Sequence, residues 1–588
     1  MEKIINVIQN EITQAFVKAG YEEKYGNVTV SNRPDLCQYQ CNGALAAAKQ
    51  YKKAPIMIAN EVVALLEDSA SFKEITAIAP GFINIILSDT FLAEYVNDMA
   101  KSEKYGCEEA KEPKTIVIDY GGPNIAKPLH VGHLRSAIIG ESIKRFGKYF
   151  GHKVIGDAHL GDWGLQMGLI ITECKKRHPE WVYFDDEFEG EYPTEAPFTM
   201  AELEEIYPFA NGYSKEHPEY REEAQNATFL LQSGKRGYKA LWQHILNVSV
   251  NDLKKNYTKL NVEFDLWKKE SDAQPYIADM VKYMKEEGYA YVSDGALVVD
   301  VKEETDKKEI PPCMILKSDG ATLYNTTDLA TIVERVKLFQ PDAITYVVDK
   351  RQELYFEQVF RCAKKTKLVD DNVKLTFLGF GTMNGKDGKP FKTREGGVMR
   401  LETLIQSITD AVYDKMTDRD MSEEETREVA RKVGVAALKY GDLSNQASKD
   451  YVFDIERFSS FEGNTGPYIL YTIVRIKSIL NKYQEQNGAG VTEVKILPAS
   501  SESETALMLQ LAKFNDMLEA AFLENAPHKV CQYIYELSNA FAKFYHENKI
   551  IAEEDKEKQA SWINLITATK GVLEICVDLL GMEAPDRM

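Results

Sequence analysis

The segment between residues 115 and 161 constrains the fold of this chain more than any other part of its sequence. TIVIDY (115–120) has the pattern of a buried strand, residues 134–150 have the pattern of a helix, and HKVIGDAHLG (152–161) has the pattern of a second strand. Two strands joined through one helix form a βαβ unit, in which the strands run parallel. The sequence therefore predicts an α/β protein with a Rossmann-like parallel sheet, whose functional loops follow the carboxyl ends of the strands.

The 588 residues are too many for one hydrophobic core, and the texture of the sequence changes along the chain. Residues 1–110 predict a small N-terminal α/β domain, followed through the charged run 101–114 by the parallel-sheet domain at 111–400. Residues 401–588 predict an all-helical C-terminal domain. An acidic, aromatic and turn-rich insertion at 178–225 interrupts the sheet domain and has no role that its sequence reveals.

Later segments extend these predictions. Four further strands are predicted at GALVVDV (295–301), CMILKS (313–318), AITYVVDK (343–350) and KLTFLGF (374–380). From about residue 425 onward we expect helices and no strands. One helical face in this region carries Val530, Ile534, Leu537, Phe541 and Phe544.

Composition limits the class of protein. A formal charge of −20 provides no global attraction for nucleic acid, although local basic patches can still bind it. The eight cysteines are scattered without a paired CxxC set, which predicts a reduced setting and no structural zinc. We find neither an export signal nor an apolar run that would span a membrane, so we expect a cytoplasmic protein.

The sequence HVGH, just before the predicted helix, is the first candidate site. A helix N-terminus directs free N–H groups and partial positive charge toward the turn that holds His130 and His133. Gly132 leaves room for a ligand beside the backbone, and Lys127 adds a mobile cation. Such a site could hold a triphosphate during phosphoryl or adenylyl transfer, but four residues taken alone predict polar helix caps equally well.

The wider sequence resembles a known family. HVGH within PNIAKPLHVGHLRS, preceded by DYGG and followed by GDWG, resembles the HIGH motif of class I aminoacyl-tRNA synthetases, and the arginyl-tRNA synthetases in particular. The resemblance implies that His130 and His133 contact the phosphates of ATP in the adenylation transition state. It also implies that Gly132 lies against the adenine.

The second class I element, KMSKS, has only a relaxed counterpart in GKPFKTREGG (388–397). Thr393 occupies the position of the second lysine, and in the arginyl family a lysine before the HIGH motif, here Lys127, is thought to compensate. The reaction needs a cation near the pyrophosphate. Besides Lys127, the candidates are Lys389, Lys392 and Arg394, and which of them acts stays open.

A pocket selective for arginine needs planar carboxylates for the guanidinium and an aromatic or hydroxyl group beside the stem. Tyr324 and Asp328 are spaced to share one helical face, and Gln352 follows a predicted strand end. By resemblance, Tyr324, Asp328 and Glu270 face the arginine side chain, while Asn124 and Gln352 hold its backbone. Asp119, at the end of the first strand, also matches a family binding position.

The two ends of the chain resemble RNA-binding domains of the same family. The C-terminal block resembles its helical anticodon-binding domain, where Tyr468, Tyr471 and Tyr545 could stack on bases, although most such aromatics are core residues. The N-terminal domain, with Gln40 and Asn42, resembles the extra domain that this family places against the tRNA elbow.

The sequence therefore predicts an arginine–tRNA ligase. The resemblance implies ATP with Mg²⁺ bound through the phosphates, L-arginine and tRNA(Arg) as substrates, a monomer, and arginine activation only after tRNA has bound. One alternative is a small-molecule carboxylate-adenylating ligase of the HxGH nucleotidyl-transferase superfamily, which would not need the helical C-terminal third. Another is a synthetase-like RNA-binding protein without catalysis, which would have little reason to keep both histidines.

Overall fold

The computed structural model describes residues 1–391, 399–416, 421–488 and 495–588. These residues form two compact units, each discontinuous in sequence. The first unit contains Met1–Glu108, Phe461–Asp578 and Ala584–Met588. The second unit contains Glu109–Ser460 and Leu579–Glu583.

The N-terminal part of the first unit is a small α/β domain, as the sequence predicted. Its elements are α1 (Ile4–Lys18), β1 (Val28–Val30), β2 (Tyr39–Cys41), α2 (Gly43–Tyr51), α3 (Pro55–Ala64), β3 (Phe72–Ile78), β4 (Phe82–Leu87) and α4 (Asp89–Ala100). The strands form one antiparallel sheet in the order β1-β2-β4-β3. Alternate residues of β4 are buried, because successive side chains of a strand point to opposite faces.

The second unit is built on a four-stranded parallel sheet in the order β11-β10-β5-β6. This confirms the predicted Rossmann-like sheet. Its elements up to the middle of the unit are β5 (Thr115–Asp119), α5 (Val131–Tyr149), β6 (Lys153–Asp157), α6 (Leu165–Arg177), α7 (Met200–Glu216), α8 (Pro218–Gln232), α9 (Arg236–Lys259) and α10 (Glu270–Glu286). The rest are β7 (Ala290–Ser293), β8 (Ala296–Val299), β9 (Cys313–Leu316), α11 (Tyr324–Phe339), β10 (Ala343–Asp349), α12 (Glu353–Lys365), β11 (Lys374–Phe380), β12 (Met383–Asn384), α13 (Leu401–Lys415), α14 (Glu423–Leu443), β13 (Tyr451–Val452) and α15 (Ile455–Phe458).

Two of the predicted strands lie outside the parallel sheet. GALVVDV supplies β8 and CMILKS supplies β9, and with β7 they form a separate antiparallel sheet. Asp294 and Gly295, both with positive φ, form the two-residue turn between β7 and β8. A turn this short can only join antiparallel strands, so β7 and β8 form a hairpin and not a βαβ unit.

The expectation of no strand beyond residue 425 is wrong at one place. The two-residue strand β13 pairs with β12 in parallel. Two residues are too few to produce a strand pattern in a sequence, so the pairing is set by the tertiary contacts around it.

The insertion at 178–225 contributes helices to the second unit. Helices α7 and α8 pack on α6 around a cluster of Leu169, Ala210, Tyr220 and Ala224. Its acidic residues include Glu202, which caps α7 by accepting a hydrogen bond from the N–H of Thr199 at 2.6 Å. The insertion is therefore a packed part of the unit that holds the HVGH motif.

Residues 579–583 complete the second unit from far along the chain. Lys439 of α14 is fully buried and donates hydrogen bonds to the carbonyl oxygens of Leu260 and Gly581, both at 2.7 Å. Ser142 Oγ donates to the Leu579 carbonyl at 2.9 Å.

The C-terminal part of the first unit is helical. It contains α16 (Gly466–Asn487), α17 (Glu502–Ala512), α18 (Phe514–Leu523), α19 (Pro527–Glu547) and α20 (Lys556–Leu579), whose last residue belongs to the second unit. The five predicted face residues of α19 are all buried, which confirms that face. The second unit thus contains residues 401–460 together with the parallel sheet. The division into three domains, with boundaries after residues 110 and 400, stays a prediction.

Candidate active site

The HVGH motif forms the start of α5: His130 precedes the helix and His133 lies in its first turn, so the helix begins three residues before its predicted start. His130 is the N-cap residue, and its Nδ1 accepts a hydrogen bond from the Gly132 N–H at 3.0 Å. His133 Nδ1 accepts one from the His130 N–H at 3.2 Å. Because each Nδ1 is an acceptor, each neutral ring must carry its proton on Nε2. The motif therefore caps the helix and also presents two N–H donors.

The surroundings keep both imidazoles neutral. Burial and the positive charge of Lys127 lower the pKa of His130. Burial, with the charges of His130 and Lys127, lowers the pKa of His133 to about 3. At neutral pH two uncharged donors therefore lie at the N-terminus of α5, where the helix dipole also favours an anion.

A cavity of about 250 Å³ opens beside this pair. Its walls are formed by residues 130–132 and Arg135, by Asp349 and Arg351 after β10, and by residues 380–383 and 390–391 after β11. A Cβ atom at Gly132 would lie 2.8 Å from the ring of His130, so any larger residue here would displace that ring. The predicted contact of Gly132 with a nucleotide base is compatible with this cavity and stays a prediction.

Backbone hydrogen bonds join the HVGH motif to the segment that follows the relaxed KMSKS element. The Val131 N–H donates to Met399 O at 3.0 Å, and the Leu401 N–H donates to Leu129 O at 2.9 Å. Lys389 is exposed, in a turn where its carbonyl accepts the Gly385 N–H at 2.8 Å. The candidates Lys392, Thr393 and Arg394 lie outside the described residues.

Lys127 lies close to the histidines and contacts the insertion. Its Nζ is 4.7 Å from the ring centroid of Tyr207, on α7. Its charge lowers the pKa of both His130 and His133, which places the ammonium group beside the two ring donors.

The predicted arginine pocket brings Tyr324, Asp328 and Glu270 into electrostatic contact. Tyr324 is exposed at the start of α11, and Asp328 lies one turn further along that helix. Burial raises the pKa of Asp328 even though it accepts a short hydrogen bond from the Tyr355 hydroxyl, which favours the ionised form. Burial, with the nearby charges of Asp162 and Asp328, raises the pKa of Glu270 to about 7. Carboxylates with raised pKa values need a cation, and a guanidinium would supply one.

The loops after β5 and β6 bring Asn124 toward this pocket. The Ile125 N–H donates to Gly161 O at 3.0 Å, and a Cβ at Gly161 would lie 2.0 Å from Asn124 Oδ1. The Glu270 N–H donates to Leu160 O at 3.0 Å, so α10 begins at the same loop. Gln352 is exposed in the turn after β10, and its predicted role stays untested by these contacts.

Asp119 has a partner within the chain. Arg335 of α11 is buried and pairs with Asp119 at 2.6 Å and with Asp157 at 2.9 Å. Asp119 therefore shares the Arg335 guanidinium with Asp157, and its role in substrate binding stays a prediction.

Sequence reasoning missed three residues of the pocket, namely His159, Arg335 and Tyr355. Burial opposes the charged form of His159, but Asp157 and Asp119 outweigh it and raise the pKa of this histidine. One signal was available, because His159 follows the end of β6 as the HVGH loop follows β5. Arg335 and Tyr355 are separated by long stretches of chain from their partners, and one sequence gives no sign of such pairs.

We expect arginine binding to strengthen as pH rises through neutrality, since the guanidinium favours the ionised form of Glu270. With a pKa of about 7, Glu270 is mostly protonated at pH 6 and mostly ionised at pH 8. The KM for arginine should fall about tenfold between these values. Glu270→Gln should raise the KM and remove its pH dependence, and an unchanged slope in that variant would contradict the assignment.

In the first unit, two of the predicted stacking residues, Tyr468 and Tyr471, line a groove between α16 and α19. A cavity of about 570 Å³ is lined by aromatic and polar side chains, including Tyr468, Tyr471, Arg475, Tyr535 and His546. The Arg475 guanidinium lies over the rings of Tyr471 and Tyr545, 4.7 and 5.4 Å from their centroids. These tyrosines therefore line a partly open surface and are not core residues.

The other predicted RNA contacts are in the N-terminal domain. Gln40 donates a hydrogen bond to Asn84 Oδ1 at 2.8 Å, and Asn42 is the N-cap residue of α2. The Gln40 side chain therefore has a partner within the sheet, and RNA contact by Gln40 and Asn42 stays a prediction.

Among the described residues, no group of three or more His, Cys, Asp or Glu side chains could hold a metal ion. Likewise, none of the described helices is long and apolar enough to cross a membrane.

Known families match nearly the whole chain. Residues 95–455 match the family described as tRNA synthetases class I (R), catalytic domain. Residues 469–588 match the DALR anticodon binding domain, and residues 2–87 match the arginyl tRNA synthetase N-terminal domain.

Individual relatives agree with these matches. The arginine–tRNA ligases of Agathobacter rectalis and Alkaliphilus oremlandii are each 61% identical to this chain, and each alignment covers 100% of both sequences. The crystal structure of arginyl-tRNA synthetase from Plasmodium falciparum has a TM-score of 0.80 at 26% identity, covering 100% of both chains. The Thermus thermophilus arginyl-tRNA synthetase, at 19% identity and a TM-score of 0.77, also covers both chains fully and shares the fold.

Proposed function

This chain belongs to the arginyl-tRNA synthetase family, and from that premise we propose which of its residues perform the reaction. The reaction itself is that of the family: arginine is activated with ATP and joined to tRNA by a class I aminoacyl-tRNA synthetase. In the first step the arginine carboxylate attacks the α-phosphate, giving arginyl-adenylate and pyrophosphate. In the second step a ribose hydroxyl at the 3′ end of tRNA(Arg) takes the arginyl group.

The phosphates of ATP bind at the start of α5. His130 and His133 donate through Nε2 to phosphate oxygens, where negative charge develops during adenylation. Because both pKa values are lowered, the rings are already neutral near pH 7 and donate through the Nε2 proton that a neutral ring keeps. Lys127, together with Lys389, Lys392, Thr393 and Arg394, provides cationic and polar contacts to the pyrophosphate. The cavity beside Gly132 takes the adenine, and Mg²⁺ arrives bound through the phosphates.

Arginine binds in the pocket formed by α10, α11 and the loops after β5 and β6. Asp328 and Glu270 pair with the guanidinium, Tyr324 lies along the stem, and Asn124 and Gln352 hold the amino-acid backbone. Asp119 supports this pocket through Arg335. One observation carries the proposal. The two histidine donors lie at the start of α5, which follows β5, and α10 begins with Glu270 at the loop after the neighbouring parallel strand β6. A polyphosphate and a cationic side chain can therefore bind at the same end of the sheet.

The tRNA meets the first unit. We assign the groove that contains Tyr468 and Tyr471, with Tyr545 beyond Arg475, to unpaired anticodon bases, because aromatic faces and guanidinium planes stack on exposed bases. Gln40 and Asn42 mark the N-terminal surface that faces the tRNA elbow. The enzyme works as a monomer in the cytoplasm.

Charging of total tRNA with each labelled amino acid, alongside pyrophosphate exchange with and without tRNA, tests this proposal. We expect arginine alone to be charged, and exchange to depend on tRNA. Charging of a different amino acid would contradict the roles of Tyr324, Asp328 and Glu270. Exchange without charging would favour a small-molecule ligase, and silence in both assays would favour a protein without catalysis.

A further inference from the structure

Helix α7 of the acidic insertion reaches the catalytic motif. Its Tyr207 is partly buried against the cluster of α6 and α8, so the base of the side chain is fixed. The ring of Tyr207 faces Lys127, whose Nζ lies 4.7 Å from the ring centroid. Helix α7 therefore contacts Lys127, the lysine three residues before the HVGH motif.

A second contact fixes α7 against the same motif. Glu204, mostly buried on α7, pairs with Arg400 at 2.5 Å. Arg400 in turn pairs through its backbone with His130. Since Glu204 and Tyr207 are three residues apart, they share one face of the helix and are both directed at the HVGH region.

The chemistry of the Lys127 contact suits a phosphate site. Among the described residues, no carboxylate forms an ion pair with Lys127. Its ammonium group lies over the ring face of Tyr207 instead. A carboxylate in that place would neutralise the ammonium and repel a polyphosphate. An aromatic ring attracts the cation through its quadrupole and leaves the full positive charge available.

We propose that Tyr207 is a positioning residue for adenylation, which holds the Lys127 ammonium beside His130 and His133 so that it meets the departing pyrophosphate. This gives the insertion at 178–225 a role in the reaction. The inference rests on the proposed function of Lys127. Tyr207 acts through Lys127 and makes no contact with the reacting atoms.

The test is a double-mutant cycle in aminoacylation by the full-length enzyme, with ATP, Mg²⁺, arginine and total tRNA. Tyr207→Phe keeps the aromatic face and should stay within about twofold of wild type. Tyr207→Leu should lower kcat about three- to tenfold, with the KM for arginine unchanged. In a Lys127→Met background, Tyr207→Leu should cause no further loss, because the cation it positions is gone.

The outcomes separate this inference from the function on which it rests. If Lys127→Met leaves kcat unchanged, the role of Lys127 is wrong, and the role of Tyr207 falls with it. If Lys127→Met is impaired but Tyr207→Leu lowers kcat equally in both backgrounds, only the inference is overturned. Equal losses in the Phe and Leu variants would also overturn it. Thermal melting of each variant identifies losses that come from unfolding, which would be shared by both backgrounds.

Discussion

Replacing His130 with asparagine should lower kcat for arginine activation about 10²- to 10³-fold, although asparagine preserves the start of helix α5. Loss of one preorganised donor to developing negative charge costs an enzyme roughly this factor. Asparagine is among the best N-cap residues, so its side-chain oxygen can replace Nδ1 as the acceptor for the Gly132 N–H. The variant therefore removes the Nε2 donor and keeps the cap.

Three variants distinguish a donor from a cap. His130→Asn and His130→Ala should be impaired to a similar degree in tRNA-dependent pyrophosphate exchange, and His133→Ala should be impaired as well. His152→Ala, a histidine elsewhere in the same unit, should retain activity and serves as the control. If His130→Asn is active while His130→Ala is not, His130 is a helix cap and the assigned role is wrong.

The neutral state of the pair adds a pH test to the same assay. Because the pKa of His133 is about 3, this ring does not titrate between pH 6 and 8, while burial and Lys127 lower the pKa of His130. At saturating arginine, kcat should therefore show no loss from protonation of His133 as pH falls from 8 to 6. The KM for arginine should still change with pH, because that dependence comes from Glu270 and not from the histidines.

Asp328→Asn should raise the KM for arginine about 10²- to 10³-fold and leave the KM for ATP near its wild-type value. Asparagine has the same shape and keeps an acceptor for the Tyr355 hydroxyl, so the main loss is the negative charge. Removing one partner of a buried charge pair typically costs about 2–5 kcal/mol, or about 30- to 4,000-fold in affinity, and the expected change lies within this span.

Citrulline provides the comparison that isolates charge, because its side chain is a neutral analogue of the guanidinium. As a competitor against arginine, it should bind wild-type enzyme weakly, and Asp328→Asn should reduce this discrimination. Asp371→Asn removes an exposed carboxylate that pairs with Lys367 at 2.8 Å, and should change neither constant. Discrimination that is unchanged in Asp328→Asn would mean that the guanidinium binds elsewhere.

The order of strand, turn and helix around the HVGH motif could be predicted from the sequence, because each of these elements has a local sequence pattern. Strand β5, the turn with His130 and His133, and helix α5 follow one another within a short segment, and each has its own pattern. It was harder to predict that His130 both caps helix α5 and presents an Nε2 donor. The apolar helical pattern begins at Leu134, whereas the cap lies before it, so the helix begins earlier than its periodicity indicates.

What could not be predicted depends on contacts distant in sequence. The ion pairs of Arg335 with Asp119 and Asp157 join helix α11 to the ends of β5 and β6, and no periodicity in one sequence signals them. The sequence analysis assigned no secondary structure to the insertion, for a different reason. Acidic composition and Pro208 do not favour a helix, but α7 forms because packing on α6 stabilises it.

The position of Leu579–Glu583 in the second unit has a consequence for synthesis of the protein on the ribosome. Residues 109–460 emerge before residues 579–583 of the same unit. Lys439 must be buried beside the Gly581 carbonyl, which at that stage has not yet been made. Translation of residues 461–578 takes about 6–24 s at about 5–20 residues per second. During that interval a nascent catalytic unit lacks one acceptor for a buried ammonium group, and such a group is costly to leave unpaired. We therefore expect the unit to reach its final stability only after translation passes this segment, so that chains stopped earlier would be the ones that proteases remove.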